Sequence, residues 1–398
     1  MKDNNNIIKH VSTYMEKINE LYDEIKREYP GNSPKLFFRG QSQQYDFILP
    51  SLMRKDNFRK NEDKMIRDFL SKDYELFINT NNNFDRLALM QHHQLPTRLL
   101  DLTANPLVAL YFCVEKDYTN RDNKLHTKGP QKNGEIYIFS DFLNKKNLKI
   151  SLNNDNLPLF FNYFAGAIFE KNNILKSSVS DTIEIESSLA LLEKNDGSGF
   201  NTKLFYFLTN LNKLAESNKN AIDSWHCFYQ QYIVGIKSPE KDFSALYKDF
   251  NEDISTSRLY HLIKTDIKSF DNHINPVNLY IPKIVIPREI DDRIKNQRGV
   301  FMLLPPINED KEKSFTSSKS ADERKEEYRI SQKSIDELQE SANDRINILR
   351  YKDGKDPTFI VPDDCKPQIR EELKRIGIGP NFIYPGSSSV AKEIYERY

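Results

Sequence analysis

The sequence predicts an α+β protein: a split mixed sheet flanked by helices and interrupted by a helical insertion. Three observations carry this. Short β-rich runs occur in the first third and again near the end of the chain, at Leu36–Gln41, Leu99–Thr103, Gly134–Phe139, Leu279–Ile286, Gly299–Leu304 and Thr358–Pro362. Stretches with apolar residues at helical spacing separate them. Residues 141–275 carry helical patterns alone, with Asn- and Lys-rich breaks.

Each element has a local reason. Residues 11–28 place Val11, Tyr14, Ile18, Leu21, Tyr22 and Ile25 at helical spacing, Thr13 and Glu16 suggest a capping box, and Pro30, Gly31 and Pro34 end the helix. Residues 64–77 and 84–93 read as two further helices, the second broken by Pro96. Asn105 is a good N-cap with Pro106 at the first helical position, and Leu107, Leu110, Tyr111 and Val114 follow on one face. Helices are expected at 157–170, 183–194, 203–216 and 222–236, then a helix at 366–376 between extended segments, a βαβ-like tail. Residues 307–327 are charged and poor in apolar groups, and read as a mobile loop. The expected organisation is an N-terminal helix over 1–30, a first part of the main domain over 31–140, the insertion over 141–275, and the second part over 276–398.

Composition narrows the function classes. The 398 residues include 20 Tyr and 25 Phe, enough for a large core. Lys plus Arg and Asp plus Glu both total 58, so the whole chain has no charge-driven pull toward nucleic acid or anionic membrane. Cys113, Cys227 and Cys365 are sparse and lack a CxxC pair, which suits a reducing compartment and argues against a thiolate metal site. No signal peptide or membrane span is evident, so a cytoplasmic protein is expected. The abundance of Lys, Asn and Ile points to an AT-rich bacterial genome.

Two dense motifs resemble the FRG domain family. One is Phe38-Arg39-Gly40-Gln41, followed by Pro50-Ser51-Leu52-x-Arg54. The other is the long run from Gln91-His92-His93 through Leu95-Pro96-Thr97-Arg98-Leu99-Leu100-Asp101 and Thr103 to Pro106, Ala109 and Phe112. Weaker likenesses occur at Gln297-x-Gly299-x-Phe301 and from Phe359–Pro362 through Lys366, Leu373, Gly377 and Ile378 to Tyr384-Pro385. The resemblance spans roughly residues 30–140 and 280–398.

The order of motifs also resembles ADP-ribosyltransferases, which implies NAD as substrate and no metal. Under that resemblance Arg39 would grip a phosphate or ribose of the dinucleotide through its fixed fork of donors, with Gly40 and Gln41 beside it. Thr103, ahead of the Asn-Pro-capped helix, and His93 would line the nicotinamide ribose. Gln297 would support the reacting carbon, although that position is usually a glutamate; Glu289 or another carboxylate would otherwise have to serve. Arg98 and Asp101 would complete the cofactor site. Such an effector would act in bacterial toxicity or phage defence, with a protein or nucleic acid as acceptor and no membrane.

Each residue has a plainer reading. Arg39 can pair with Asp101, Arg98 with Asp101, and Asp101 and Thr103 can cap the following helix. Adjacent His92 and His93 point to different sides of a helix and are poor joint ligands for a metal. His226, beside Trp225 and Cys227, reads as core or interface. The rival class is a non-catalytic binding module in which Arg39, Arg54 and Arg98 form a cationic pocket for phosphate; a third is a purely structural protein. No Walker A, GxGxxG, HExxH or GxSxG pattern occurs in a fitting context. The enzyme reading requires Arg39, Thr103 and Gln297 to meet in one cleft.

Overall fold

The computed structural model describes residues 6–31, 33–115, 133–155, 157, 185–217, 241–271, 274–288, 292–307 and 335–386. Six strands, β1 (Leu36–Gln41), β2 (Leu99–Thr103), β3 (Gly134–Ser140), β4 (Lys283–Val285), β5 (Gly299–Leu303) and β6 (Phe359–Val361), form one sheet in the order β4-β5-β2-β1-β3-β6. The protein is α+β, but the sheet is antiparallel at every strand pair rather than mixed. Its one parallel contact among the described residues is an isolated bridge between Ile7 and Ile360. Period-2 patterning reports which residues face a core and is blind to the direction of the neighbouring strand, which tertiary pairing decides.

The sheet parts in the middle. β1 pairs with β3 along its whole length, from Leu36 opposite Ser140 to Gln41 opposite Glu135. With β2 it pairs only at Phe38 and Thr103. Beyond that rung β1 and β2 diverge, and the residues Arg39 to Gln41 border the gap.

Alternation sends successive side chains to opposite faces, and each face has its own cover. On the first face Leu36, Phe38, Ile136, Ile138, Phe359 and Val361 pack against α1 (Val11–Glu28), α5 (Pro106–Val114) and the helix Lys366–Arg375. The β2–β5–β4 half of this same face rests on α3 (Glu62–Lys72), which follows the short helix α2 (Asp56–Lys60), and on α4 (Asn83–His92), through Leu99, Phe301 and Leu303 against Ile66, Phe84 and Met90. The second face, with Phe37, Leu100, Leu102, Tyr137, Phe139 and Met302, shares one core with the helices Lys145–Asn154, Lys194–Ser217 and Ile254–Asp266 and with helical residues 335–347. The described part of the insertion is therefore the second layer of the main core.

Several local expectations change. α1 begins at Val11 without a Thr13–Glu16 box; its first amide donates to Glu372 Oε2 at 2.8 Å, so the cap comes from the distant helix Lys366–Arg375. The expected helix 183–194 gives way to a helical stretch at 185–189 and a separate long helix Lys194–Ser217. The run 279–286 is a strand only over Lys283–Val285, after a 3-10 turn at Pro276–Tyr280. In the tail, Phe382 falls in the short helix Pro380–Ile383, with Pro380 at its first position, so the tail is not βαβ. The expected helices 157–170 and 222–236, the mobile loop 307–327, and Glu289 and His226 lie wholly or almost wholly outside the described residues. Among the described residues no helix is long and apolar enough to cross a membrane.

Candidate functional site

The Phe38-Arg39-Gly40-Gln41 motif divides its side chains between the two faces. Phe38 and Gly40 face α5. A Cβ on Gly40 would stand 1.8 Å from the Ala109 carbonyl oxygen, so glycine is required for α5 to lie on β1. The backbone that approaches Gly40 is thus the protein's own, in the place expected for a ligand. Arg39 and Gln41 face the other way, toward Tyr137 and Glu135, their partners across β3.

Arg39 stands at the gap in the sheet. Its Nη1 donates to the Asp101 carbonyl at 2.7 Å, supplying a donor where β1 has parted from β2. Its Nε is buried without a partner. Burial pushes its pKa down to about 10, and the nearby Arg54 guanidinium lowers it further than Asp101 can offset. Neither Arg39 nor Arg54 has an ion pair among the described residues; Arg54 is exposed and only reaches the Leu49 carbonyl, at 3.4 Å. Two guanidinium groups near enough for one to lower the other's pKa, neither in an ion pair among the described residues, make a cationic spot.

The neighbouring rungs extend this polar patch. Tyr137 OH donates to Glu135 Oε2 at 2.6 Å. Burial raises the Glu135 carboxyl, against the hydrogen bonds from Tyr137 and Gln44. Gln41 is only 7% exposed and its Oε1 is buried without a partner. Arg350 lies over the Tyr137 ring, 4.7 Å from its centre, and its buried Nε is also unpartnered. Burial pushes its pKa down to about 10. Buried polar atoms are paired in the great majority of cases, so three unpartnered ones around Tyr137 set this face apart.

The second motif mostly holds itself together. Gln91 Nε2 donates to Asp101 Oδ1 at 2.6 Å, and Gln91 Oε1 accepts from the Thr97 hydroxyl. Thr97 in turn is tied to Ser51, whose hydroxyl accepts from the Thr97 amide at 3.1 Å. Arg98 does not pair with Asp101. Three residues apart on an extended chain, the two point to opposite faces, and Arg98 grips Glu62 with both arms at 2.8 and 2.5 Å. A cavity of about 240 Å³ opens beside this pair, lined by Leu52, Met53, Arg98, Pro305 and Leu338 among others. Leu52 and Met53 share a 3-10 turn with Arg54, but neither Arg39 nor Arg54 lines this cavity.

The remaining candidates gather on the first face. Asn105 caps α5 by accepting from the Leu107 amide at 3.0 Å. The Thr103 hydroxyl accepts from the Asn105 amide at 2.9 Å and donates to the Gln297 carbonyl at 2.6 Å, and Gln297 Nε2 donates to the Ile383 carbonyl at 3.0 Å. His93 follows α4 as its exposed C-cap, its ring 6.3 Å from Phe69. The structure brings Thr103 and Gln297 together and turns Arg39 to the opposite face, so the three do not meet in one cleft. Among the described residues no group of three or more His, Cys, Asp or Glu side chains is placed to hold a metal ion.

Glu135, Tyr137 and Arg350 were not anticipated from the sequence. A signal existed for the first two: in Gly134-Glu-Ile-Tyr-Ile-Phe139 the charged residue shares a face with tyrosine inside an otherwise apolar strand. Nothing local marks Arg350.

The model of the FRG domain matches residues 34–122, so the chain carries an FRG domain there, which spans β1, the turn bearing Arg54, β2 and α5. No curated protein and no solved structure matches the chain.

Proposed function

We propose that the FRG domain of this chain is a binding module for a phosphate-bearing nucleotide, with Arg39 and Arg54 as its anion clamp. The observation that carries this reading is the pair of guanidinium groups without an ion pair, one of them with a buried Nε that has no partner.

A second reading, an ADP-ribosyltransferase-like effector of toxicity or phage defence that uses NAD, is favoured by one specific feature. Glu135 places a carboxylate one rung from Arg39, where Gln297 supplies none. In that chemistry the bond from nicotinamide to ribose breaks, nicotinamide leaves, and water or an acceptor group takes the ADP-ribose. Glu135 would stabilise the positive charge that develops on the ribose.

Calorimetric titration with pyrophosphate and with NAD, on wild type and Arg39→Ala, tests the first reading. A charge-assisted hydrogen bond is worth about 1.5–3 kcal/mol, so affinity is expected to fall roughly 10- to 100-fold in the variant. Equal affinities in the two proteins would end the reading. Nicotinamide release from NAD by wild type, lost in Glu135→Gln, would replace it with the second.

A further inference from the structure

The unpartnered atoms on the β1–β3 face are not all of one kind, and their mixture restricts the ligand. Arg39 Nε is a donor, and it lies with Arg54 in a cationic setting. Gln41 Oε1 is an acceptor on a side chain more than nine-tenths buried. Glu135, opposite Gln41, is a second acceptor: its Oε2 takes the Tyr137 hydroxyl, and a carboxylate has lone pairs for further donors. Arg350 lies against the Tyr137 ring and holds it in place, with Nη2 donating to the Asp356 carbonyl at 2.5 Å.

A bare inorganic anion would satisfy the guanidinium groups, yet it offers Gln41 a donor only when partly protonated, and its charge would be repelled by Glu135. A cationic ligand would suit Glu135 and be repelled by Arg39 and Arg54. Both sets are met by a molecule that carries an anionic phosphate group and, a short distance away, hydroxyl groups. Resting on the phosphate-binding reading above, we infer that the ligand is a ribonucleotide-class molecule whose sugar hydroxyls donate to Gln41 Oε1 and Glu135, making Gln41 a specificity-determining residue. Arg39 and Arg54 then supply affinity for the phosphate, and the Gln41–Glu135 rung discriminates ribose from deoxygenated sugars. Discrimination of this kind is strong because a buried acceptor left without its donor pays the full cost of desolvation.

The test is calorimetry on the full chain with pyrophosphate, ADP and 2′,3′-dideoxy-ADP, using wild type and Gln41→Met, which preserves volume and removes the acceptor. Wild type is expected to bind ADP about 10-fold tighter than the dideoxy compound, from one to two buried hydrogen bonds. In Gln41→Met that preference should shrink several-fold. Equal binding of ADP and dideoxy-ADP by wild type would overturn the inference, whatever the folding of the variant. If pyrophosphate still bound and still depended on Arg39, the phosphate reading would survive that result. Failure of all three compounds to bind would remove the phosphate reading and this inference together.

Discussion

Arg345 is fully buried and Arg39 half-buried, with its Nε wholly out of water, and their surroundings differ in kind. Arg345 is wholly buried in the second-face core, where Nε and Nη2 donate to Asp155 Oδ2 at 3.2 and 2.7 Å and Nη1 donates to the Tyr280 carbonyl at 2.7 Å. Its guanidinium carbon also lies 3.3 Å from the centre of the Tyr280 ring. Each of its guanidinium nitrogens has a partner and a carboxylate balances its charge. Arg39 has one carbonyl, a second arginine nearby and an unpartnered Nε. A buried charge that is fully paired holds the fold, whereas one left unpaired is costly to keep and points to a partner from outside.

Arg345→Ala is the most severe test of this contrast. Removing one member of a buried pair leaves Asp155 uncompensated and is expected to cost about 3–5 kcal/mol, read by equilibrium denaturation in urea. A loss as small as that of a surface substitution would show that full pairing is no mark of a structural arginine.

Glu186 is an intermediate case that sharpens it. The carboxylate is fully buried, neither oxygen has a hydrogen bond, and Lys283 Nζ stands 3.6 Å away while donating to the carbonyls of Asn278 and Ile281. Burial pushes the Glu186 carboxyl up to about 7, against the opposing pull of Lys283 and Arg98. The folded state therefore holds a proton that the unfolded chain releases at lower pH. The resulting stabilisation is complete below about pH 4.5 and is lost as pH rises toward 7. Glu186→Gln mimics the protonated form, so its stability relative to wild type should improve by about 1–3 kcal/mol between pH 4.5 and 7.5. A relative stability that does not change with pH in urea melts would show that Lys283 already compensates the charge.

Arg39→Met should have the smallest effect on the fold. The lost bond to the Asp101 carbonyl and the relief of an unpaired, half-buried charge act in opposite directions, so stability should change by less than about 1 kcal/mol. A large loss would class Arg39 with Arg345 and remove the ground for a ligand there.

Much of this molecule was legible in local sequence. Five of the six strands fall within two residues of the expected limits, β4 being the exception, and Asn105-Pro106 opens α5 as its chemistry requires. These features depend on side-chain alternation and backbone geometry within a few residues. The division of the Phe38-Arg39-Gly40-Gln41 motif into a packing pair and a polar pair also follows from strand alternation, once the strand is known. The partner of Arg98 was not legible, because Glu62 lies 36 residues away, at the start of α3. Nor was the separation of Arg39 from Thr103, which depends on where β1 leaves β2.

Local patterns along the chain were enough for an α+β protein with an FRG domain and for Arg39 on a strand with a polar neighbour. Packing alone set the antiparallel strands, the neutralisation of Arg98 by Glu62, and the gathering of Glu135, Tyr137 and Arg350 around the Arg39–Gln41 face. The reason is one of range. Alternation and capping are set by the nearest residues along the chain, whereas the balance of buried charge is set by whichever distant side chains the packing brings within a few ångströms.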